Sequence, residues 1–175
     1  EGNTLGEFAI DTGIEENILV IGDSSGKSTL LRNMIHRISE GIPPSDAKLL
    51  VIDYRRQLLG ECPATHLAGY ASTKQDVQEF ISQLVPLLES RMPAGVDDPQ
   101  TLRDRSWWKG PDIFLVVDDY DLVATSSGNP LQGLLELLPY GRDIGLHMVV
   151  ARRCTGFSRT SFEPIMARLR ELHPT

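Results

Sequence analysis

The sequence predicts an α/β fold, a mainly parallel sheet with helices on both faces, and three observations predict it. Four short runs, NILVI at 17–21, LLVI at 49–52, IFLVV at 113–117 and LHMVVA at 146–151, are nearly continuous in apolar residues rather than alternating. Strands of that kind are covered on both faces, as in a parallel sheet inside a layered domain. Segments of helical period separate the runs, which suits right-handed strand–helix–strand crossovers. The length of 175 residues, 41% of them hydrophobic, matches one domain with one packed core.

Taken in order, the strand at 17–21 stops at Gly22, and apolar positions from Leu30 to Ile38 then recur at helical spacing. That helix ends near Gly41 and Pro43-Pro44, and the second strand closes at Asp53. Thr73 to Arg91 reads as a long surface helix with Val77, Phe80, Ile81, Leu84, Val85 and Leu88 on one face. Thr73 and Asp76 form a capping pair at its start. Pro86 is expected to kink or split it, because proline lacks a backbone donor and crowds the preceding turn. Residues 94–110 read as a loop with a short helix after Asp98-Pro99 and a packing anchor at Trp107-Trp108. The third strand closes on Asp118-Asp119, and a helix from Leu131 to about Tyr140 follows Pro130, a position where proline is tolerated. After the fourth strand, a last helix is expected over 162–172 with Pro164 in its first turn.

Composition removes several classes of function. No apolar run approaches the ~18 residues of a membrane span, and EGNTLGEF is not a signal peptide, so the expectation is a soluble, cytosolic piece. Cys62 and Cys154 lie far apart with no CxxC and no histidine at metal spacing, which indicates neither a disulfide framework nor zinc. Both are expected as buried or half-buried thiols. A net charge of −7 opposes long-range attraction to a phosphate backbone, so nucleic acid is not the expected partner. The pairs Arg55-Arg56 and Arg152-Arg153 read as salt-bridged or solvated strand ends. His36, His66, His147 and His173 show no constellation.

The ligand crevice of an open parallel sheet lies at the carboxyl ends of its strands, and here those ends are polar. Strand one is followed by Gly22-Asp23-Ser24-Ser25-Gly26-Lys27-Ser28. Glycines permit the tight turn, backbone N–H groups can surround phosphate oxygens, and the helix start adds its positive end. In such a loop Lys27 meets the β- and γ-phosphates of ATP, Ser28 ligates Mg2+, and Thr29 reaches an α-phosphate oxygen. The reading is therefore a P-loop nucleotide site at the edge of an open parallel sheet. The loop departs from G-x-x-x-x-G-K-[ST] by one residue, with three rather than four between Gly22 and Gly26. IFLVVDD delivers two carboxylates to the same edge. Asp118 is placed to order the magnesium shell, and Asp119 stands where many ATPases carry a glutamate that positions the attacking water. At the end of strand four, Arg152 and Arg153 are candidates for sensing the γ-phosphate or reaching a neighbouring subunit. Arg142 is another candidate for that in-trans role.

The strings VIDYRRQLL, AGYAST, RSWWKGPDIFLVVDDYDLVA, GNPLQGLLELLPYGRDIGLHMVVARR and FEPIMARLR resemble the C-terminal ATPase domains of the EccC-type motor of type VII secretion systems, of the FtsK/SpoIIIE branch of RecA-like ATPases. The resemblance runs from about Glu15 onward. It implies one of several ATPase modules of a longer, membrane-anchored protein, working on the cytosolic side of the membrane in an oligomeric motor. It also implies small helical-hairpin substrates recognised through their C-terminal tails. By the same resemblance the module is the last of its series, and one further strand is expected beyond Thr175. Such modules are often degenerate, and the short loop, Asp119 in place of glutamate, and Ala151-Arg152 in place of a Thr-Gln type sensor point to slow hydrolysis. Two further readings stand beside this one, a nucleotide-independent receptor for the substrate tail and a DNA translocase. The acidic balance and the absence of a basic winged-helix segment speak against the last.

Overall fold

The computed structural model describes residues 17–23, 26–154 and 163–172. Five strands, β1 (Asn17–Ile21), β2 (Ala47–Ile52), β3 (Leu67–Ala71), β4 (Asp112–Val117) and β5 (Leu146–Arg152), form one sheet in the order β1-β5-β4-β2-β3. Every pairing is parallel, with Leu19 opposite Val150, Leu115 opposite Met148 and Leu50 opposite Leu115. The four strands expected from the sequence are therefore present, three of them one or two residues longer than read.

Alternate residues of each central strand face opposite sides, and both sides are dry. On one face, Leu49, Val51, Phe114, Val116, Val149 and Ala151 pack under Leu31, Met34, Ile35 and Ile38 of helix α1 (Gly26–Gly41). On the other, Leu50, Ile52, Leu115, Val117, Met148 and Val150 meet Val77, Ile81, Leu84 and Leu88 of α2 (Lys74–Glu89). Each such side chain contributes about 1.5–3 kcal/mol when fully withdrawn from water, so the two layers hold the sheet from both sides. The fold is a RecA-like P-loop architecture.

β3 escaped the sequence reading. LAGYA is short and lies at the sheet edge with Leu67, Gly69 and Tyr70 only half-buried, so it lacks the continuous apolar signature. Gly69 matters there, since a Cβ at this position would fall 2.6 Å from the Phe80 ring that covers the strand. The Thr73–Asp76 capping box is formed in both directions, with Asp76 N donating to Thr73 Oγ1 (3.2 Å) and Thr73 N to Asp76 Oδ2 (3.0 Å). Pro86 does not split α2. It lies in the final turns, where its missing donor costs one hydrogen bond and its carbonyl still accepts from Ser90 N (3.0 Å). The short helix after Asp98 is present as α3 (Pro99–Asp104).

The helix expected over 131–140 is not an α-helix. After α4 (Tyr120–Val123), two 3₁₀ turns, Gln132–Leu134 and Leu138–Tyr140, lead into α5 (Gly141–Ile144). Leu131, Leu134 and Leu137 are three apart, a spacing that a three-residue turn places on one side, and all three are buried with Leu138. Pro139 removes a donor that a continuous helix would need. Helix α6 (Pro164–Leu172) buries Ile165, Met166 and Leu169 against the same face. Both cysteines are free thiols. Cys62 is half-buried, but Cys154 is exposed, contrary to expectation, because it follows the last residue of β5 at the sheet's rim. No helix among the described residues is long and apolar enough to cross a membrane.

Candidate nucleotide site

The carboxyl end of β1 is held from one side. Gly22 N donates to Arg152 O (3.2 Å), and Asp23 Oδ1 accepts from Cys154 N (2.8 Å). These bonds tie the start of the glycine loop to the end of β5. Ser24 and Ser25 lie outside the described residues. The first turn of α1 contains Gly26, Lys27, Ser28 and Thr29, so their backbone N–H groups are among those a helix start leaves without intrahelical partners.

Ser28 Oγ donates to Asp118 Oδ2 at 2.7 Å. Because β5 lies between β1 and β4, this contact reaches over the end of an intervening strand and joins the two halves of the site. Asp118 is 2% exposed, and its other oxygen accepts from Asp119 N (2.9 Å). Burial pushes its carboxyl pKa up, and the neighbouring Asp119 and Asp53 charges push it further, against the hydrogen bonds from Ser28 and the backbone. A hydroxyl and an under-compensated buried carboxylate facing each other suit a hard divalent cation. Among the described residues no group of three or more His, Cys, Asp or Glu could hold a metal ion. That is compatible with magnesium, which usually takes one or two protein carboxylates and fills its shell with water and phosphate oxygens.

The chain is 49% identical over 165 residues to the ESX-4 secretion system protein EccC4 of Mycobacterium tuberculosis, covering 94% of this chain and 13% of that protein. It is 42% identical over 171 residues to the ESX secretion system protein EccC of Thermomonospora curvata, covering 97% of this chain and 13% of that protein. The structure of the cytoplasmic domain of the Thermomonospora curvata type VII secretion ATPase EccC superposes with a TM-score of 0.90 at 43% identity, covering 93% of this chain and 19% of that one. The chain is an EccC-type domain. No family model matches it. A second structure, Thermomonospora curvata EccC (ATPases 2 and 3) in complex with a signal sequence peptide, superposes with a TM-score of 0.89 at 43% identity, covering 93% of this chain and 29% of that one. The chain spans about 13% of the length of the two EccC relatives.

In this EccC-type domain Asp119 adopts a left-handed backbone (φ 47°, ψ 58°) and is 8% exposed. Its carboxylate pairs with Arg55 (Nε–Oδ2 3.2 Å), a partner that the sequence reading had only as a salt-bridged strand end. Asp53, completely buried, accepts from Gln57 N (3.1 Å), Leu58 N (2.7 Å) and the Tyr70 hydroxyl (2.7 Å). It thereby fixes the turn that carries Arg55. Nothing in the sequence reading assigned Asp53 more than the end of a strand, because its donors come from a loop and from the unrecognised β3.

Arg152 is 1% exposed, and its Nη2 lies 3.2 Å from Asp121 Oδ1. The guanidinium is thus folded against its own chain at the carboxyl end of β5. Arg153 N donates to Asp121 Oδ2 (2.9 Å). Arg142, in contrast, is exposed on α5 at the amino end of β5, the opposite end of the sheet from Ser28 and Asp118. Only a neighbouring subunit could bring Arg142 to a phosphate.

That far end holds a cluster missed in the sequence. His147, buried and stacked on Phe114 (ring centroids 4.6 Å apart), lies 2.8 Å through Nε2 from Asp112 Oδ2, which also pairs with Arg105 (3.4 Å). Burial raises the Asp112 pKa, but the His147 hydrogen bond and the Arg105 charge outweigh it, and the net direction is down. Trp108 is a packing anchor, as expected, with Arg91 4.0 Å over its ring and its Nε1 donating to Asp143 O (2.8 Å). Beside it a cavity of about 420 Å³ is lined by Ile42, Asp46, Arg105, Asp112 and Phe114 among others.

Proposed function

We propose that this domain binds ATP with Mg2+ as one module of a type VII protein-secretion motor, with hydrolysis that is slow or dependent on assembly. The observation that carries the reading is the Ser28–Asp118 contact of 2.7 Å at the first turn of α1. It brings the hydroxyl and carboxylate of the two motifs onto one another, as a shared metal requires. In this reading the backbone from Gly22 to Thr29 surrounds the phosphates, Lys27 meets the β- and γ-phosphates, and Ser28 and Asp118 hold the metal. Held by Ser28 and Asp118, a magnesium ion would supply positive charge to offset the charge that develops on the transferred phosphate.

Asp119 accepts a hydrogen bond from the attacking water. Its side chain is one methylene shorter than the usual glutamate, roughly 1.5 Å of reach, and misplacement on that scale slows positioning chemistry. The loop, one residue short, acts in the same direction. The 13% span of the EccC relatives supports a domain acting within a longer chain; in this reading that chain carries several ATPase modules and works at the inner face of the cell membrane. In an oligomeric motor Arg142 would serve the site of a neighbouring subunit. A second reading, capture of the C-terminal tail of a small helical secreted protein, is favoured by the peptide-bound EccC structure that this fold matches. It is compatible with nucleotide binding.

Titration of the domain with a fluorescent ATP analogue in magnesium, with phosphate release followed in parallel, tests the assignment. Lys27→Ala removes charge-assisted hydrogen bonds of about 1.5–3 kcal/mol and is expected to weaken binding at least about tenfold. Equal affinity in native and variant protein would sink the nucleotide reading and leave the tail receptor standing.

A further inference from the structure

We infer that Arg55 is a positioning residue that latches Asp119 toward the β2 side of the sheet's carboxyl edge, away from the glycine loop that follows β1, so that this EccC-type domain restrains its own water-orienting carboxylate. The inference rests on the nucleotide reading above and adds a control element to that same site.

Two adjacent carboxylates at the end of β4 have different partners. Asp118 is turned to Ser28 and to a backbone N–H, whereas Asp119 has Arg55 as its ion-pair partner among the described residues. The Asp119 side chain is 12% exposed and that of Arg55 is 47% exposed, so the carboxylate end of the pair is largely shielded from water. Shielding strengthens such a pair relative to one on an open surface.

Arg55 projects from a turn that has little freedom. The buried Asp53 carboxylate accepts from Gln57 N and Leu58 N, the Tyr70 hydroxyl closes the same carboxylate, and Arg32 Nη2 donates to Gln57 O (3.1 Å). Within it Arg56 has a positive φ of 59°, a conformation that a side chain rarely adopts without such constraint. Asp119 has the same unusual handedness at φ 47°. One end of the pair, Asp119, and the neighbour of the other, Arg56, are thus held in an uncommon backbone state, a pattern associated with switch regions and active sites.

Latched in this way, the carboxylate shares its lone pairs with a guanidinium and is not available to a water. With a side chain as short as aspartate, facing Arg55 and facing a water above Asp118 exclude one another. Removing the guanidinium frees the carboxylate and leaves an additional uncompensated negative charge beside Asp53 and Asp118, which favours a divalent cation.

The experiment compares native chain, Arg55→Ala, Arg55→Lys, the double variant Arg55→Ala/Asp119→Asn, and Lys27→Ala. Phosphate release is measured across ATP concentrations, Mn2+ affinity without nucleotide is read by electron paramagnetic resonance, and thermal unfolding is monitored for each. Arg55→Ala is expected to raise kcat about threefold to fivefold, the range set by a half-shielded ion pair, with KM unchanged and the unfolding midpoint lowered by no more than about 4 °C. Mn2+ affinity rises severalfold in the same variant. Arg55→Lys keeps the cation and stays near the native rate, and the double variant loses the gain. A kcat at or below native in Arg55→Ala, a gain that survives in the double variant, or an unchanged Mn2+ affinity overturns the latch. Loss of the nucleotide reading shows separately, as native protein that binds ATP no better than Lys27→Ala. In that case the Mn2+ comparison alone decides whether Arg55 compensates this carboxylate group.

Discussion

Replacement of Glu163 by alanine tests how the site's supporting loop is tied to the last helix. Its carboxylate accepts from Ile165 N (3.3 Å) and Met166 N (3.0 Å), which caps α6, and from the Tyr120 hydroxyl (2.7 Å) and Asn129 Nδ2 (2.8 Å). Tyr120 directly follows Asp118-Asp119 and is 2% exposed, and burial pushes its phenol pKa far up, so it stays a donor throughout the accessible pH range. Glu163→Ala removes a cap worth about 1 kcal/mol. It also strands a buried hydroxyl proton at about 1–3 kcal/mol. The sum, about 2–4 kcal/mol, corresponds to roughly 4–16 °C in the unfolding midpoint for a chain of this size. Thermal unfolding followed by circular dichroism reads the shift. Tyr120→Phe alone is expected to lose about 1 kcal/mol, and because both changes delete the same bond the double variant falls short of the sum by a similar amount. A Glu163→Ala midpoint within about 2 °C of native, or strict additivity, would refute the bridge.

Asp118→Asn is expected to raise the unfolding midpoint of the ligand-free chain by about 2–4 °C at pH 7 while removing magnesium-dependent nucleotide binding, as calorimetry on both proteins would show. The sign follows from the raised pKa: a folded state that disfavours the charged carboxylate loses stability as pH rises through that pKa. The native deficit relative to Asp118→Asn therefore shrinks as pH falls toward the ordinary aspartate value of about 3.9, and a deficit that grows on acidification contradicts the assignment. Gly145→Ala forces a side chain onto φ 72°, with its Cβ 2.7 Å from Trp108 Cη2 and 2.8 Å from Asp112 Oδ1. A loss of about 2–4 kcal/mol with a shift in tryptophan emission is expected, and urea titration that finds the variant as stable as native would contradict it.

Much of this structure could be read from single segments. The central strands announce themselves because both faces are dry and their middles are nearly continuous in apolar residues. The glycine loop and Asp118-Asp119 follow from local motifs at strand ends. What escaped depends on partners distant in sequence. β3 is legible only beside β2, since Gly69 and Tyr70 do not form an apolar run. Asp53 acquires its role from Gln57, Leu58 and Tyr70, and Asp119 from Arg55. Arg152 read as a salt-bridged or solvated strand end, but the sequence could not show that Asp121 is its partner. The segment after Asn129 had the leucines of a helix, but their spacing by three and Pro139 turned it into 3₁₀ turns.

The position of β5 has a consequence for the dimensions of the crevice. Carrying neither the glycine loop nor the paired carboxylates, it acts as a shim two strand spacings wide, about 9.5 Å, between the strands that do. Its side chains Met148 to Ala151 are 0–2% exposed and have no slack. An enlargement at Ala151 would push α1, whose Leu31 and Ile35 pack on that face, away from the sheet and lengthen the gap that Ser28 bridges to Asp118. The tolerance of the slot for an ion and its phosphates is thus gauged by buried residues of β5 below it, and substitutions hidden in the core would register as changes in metal preference.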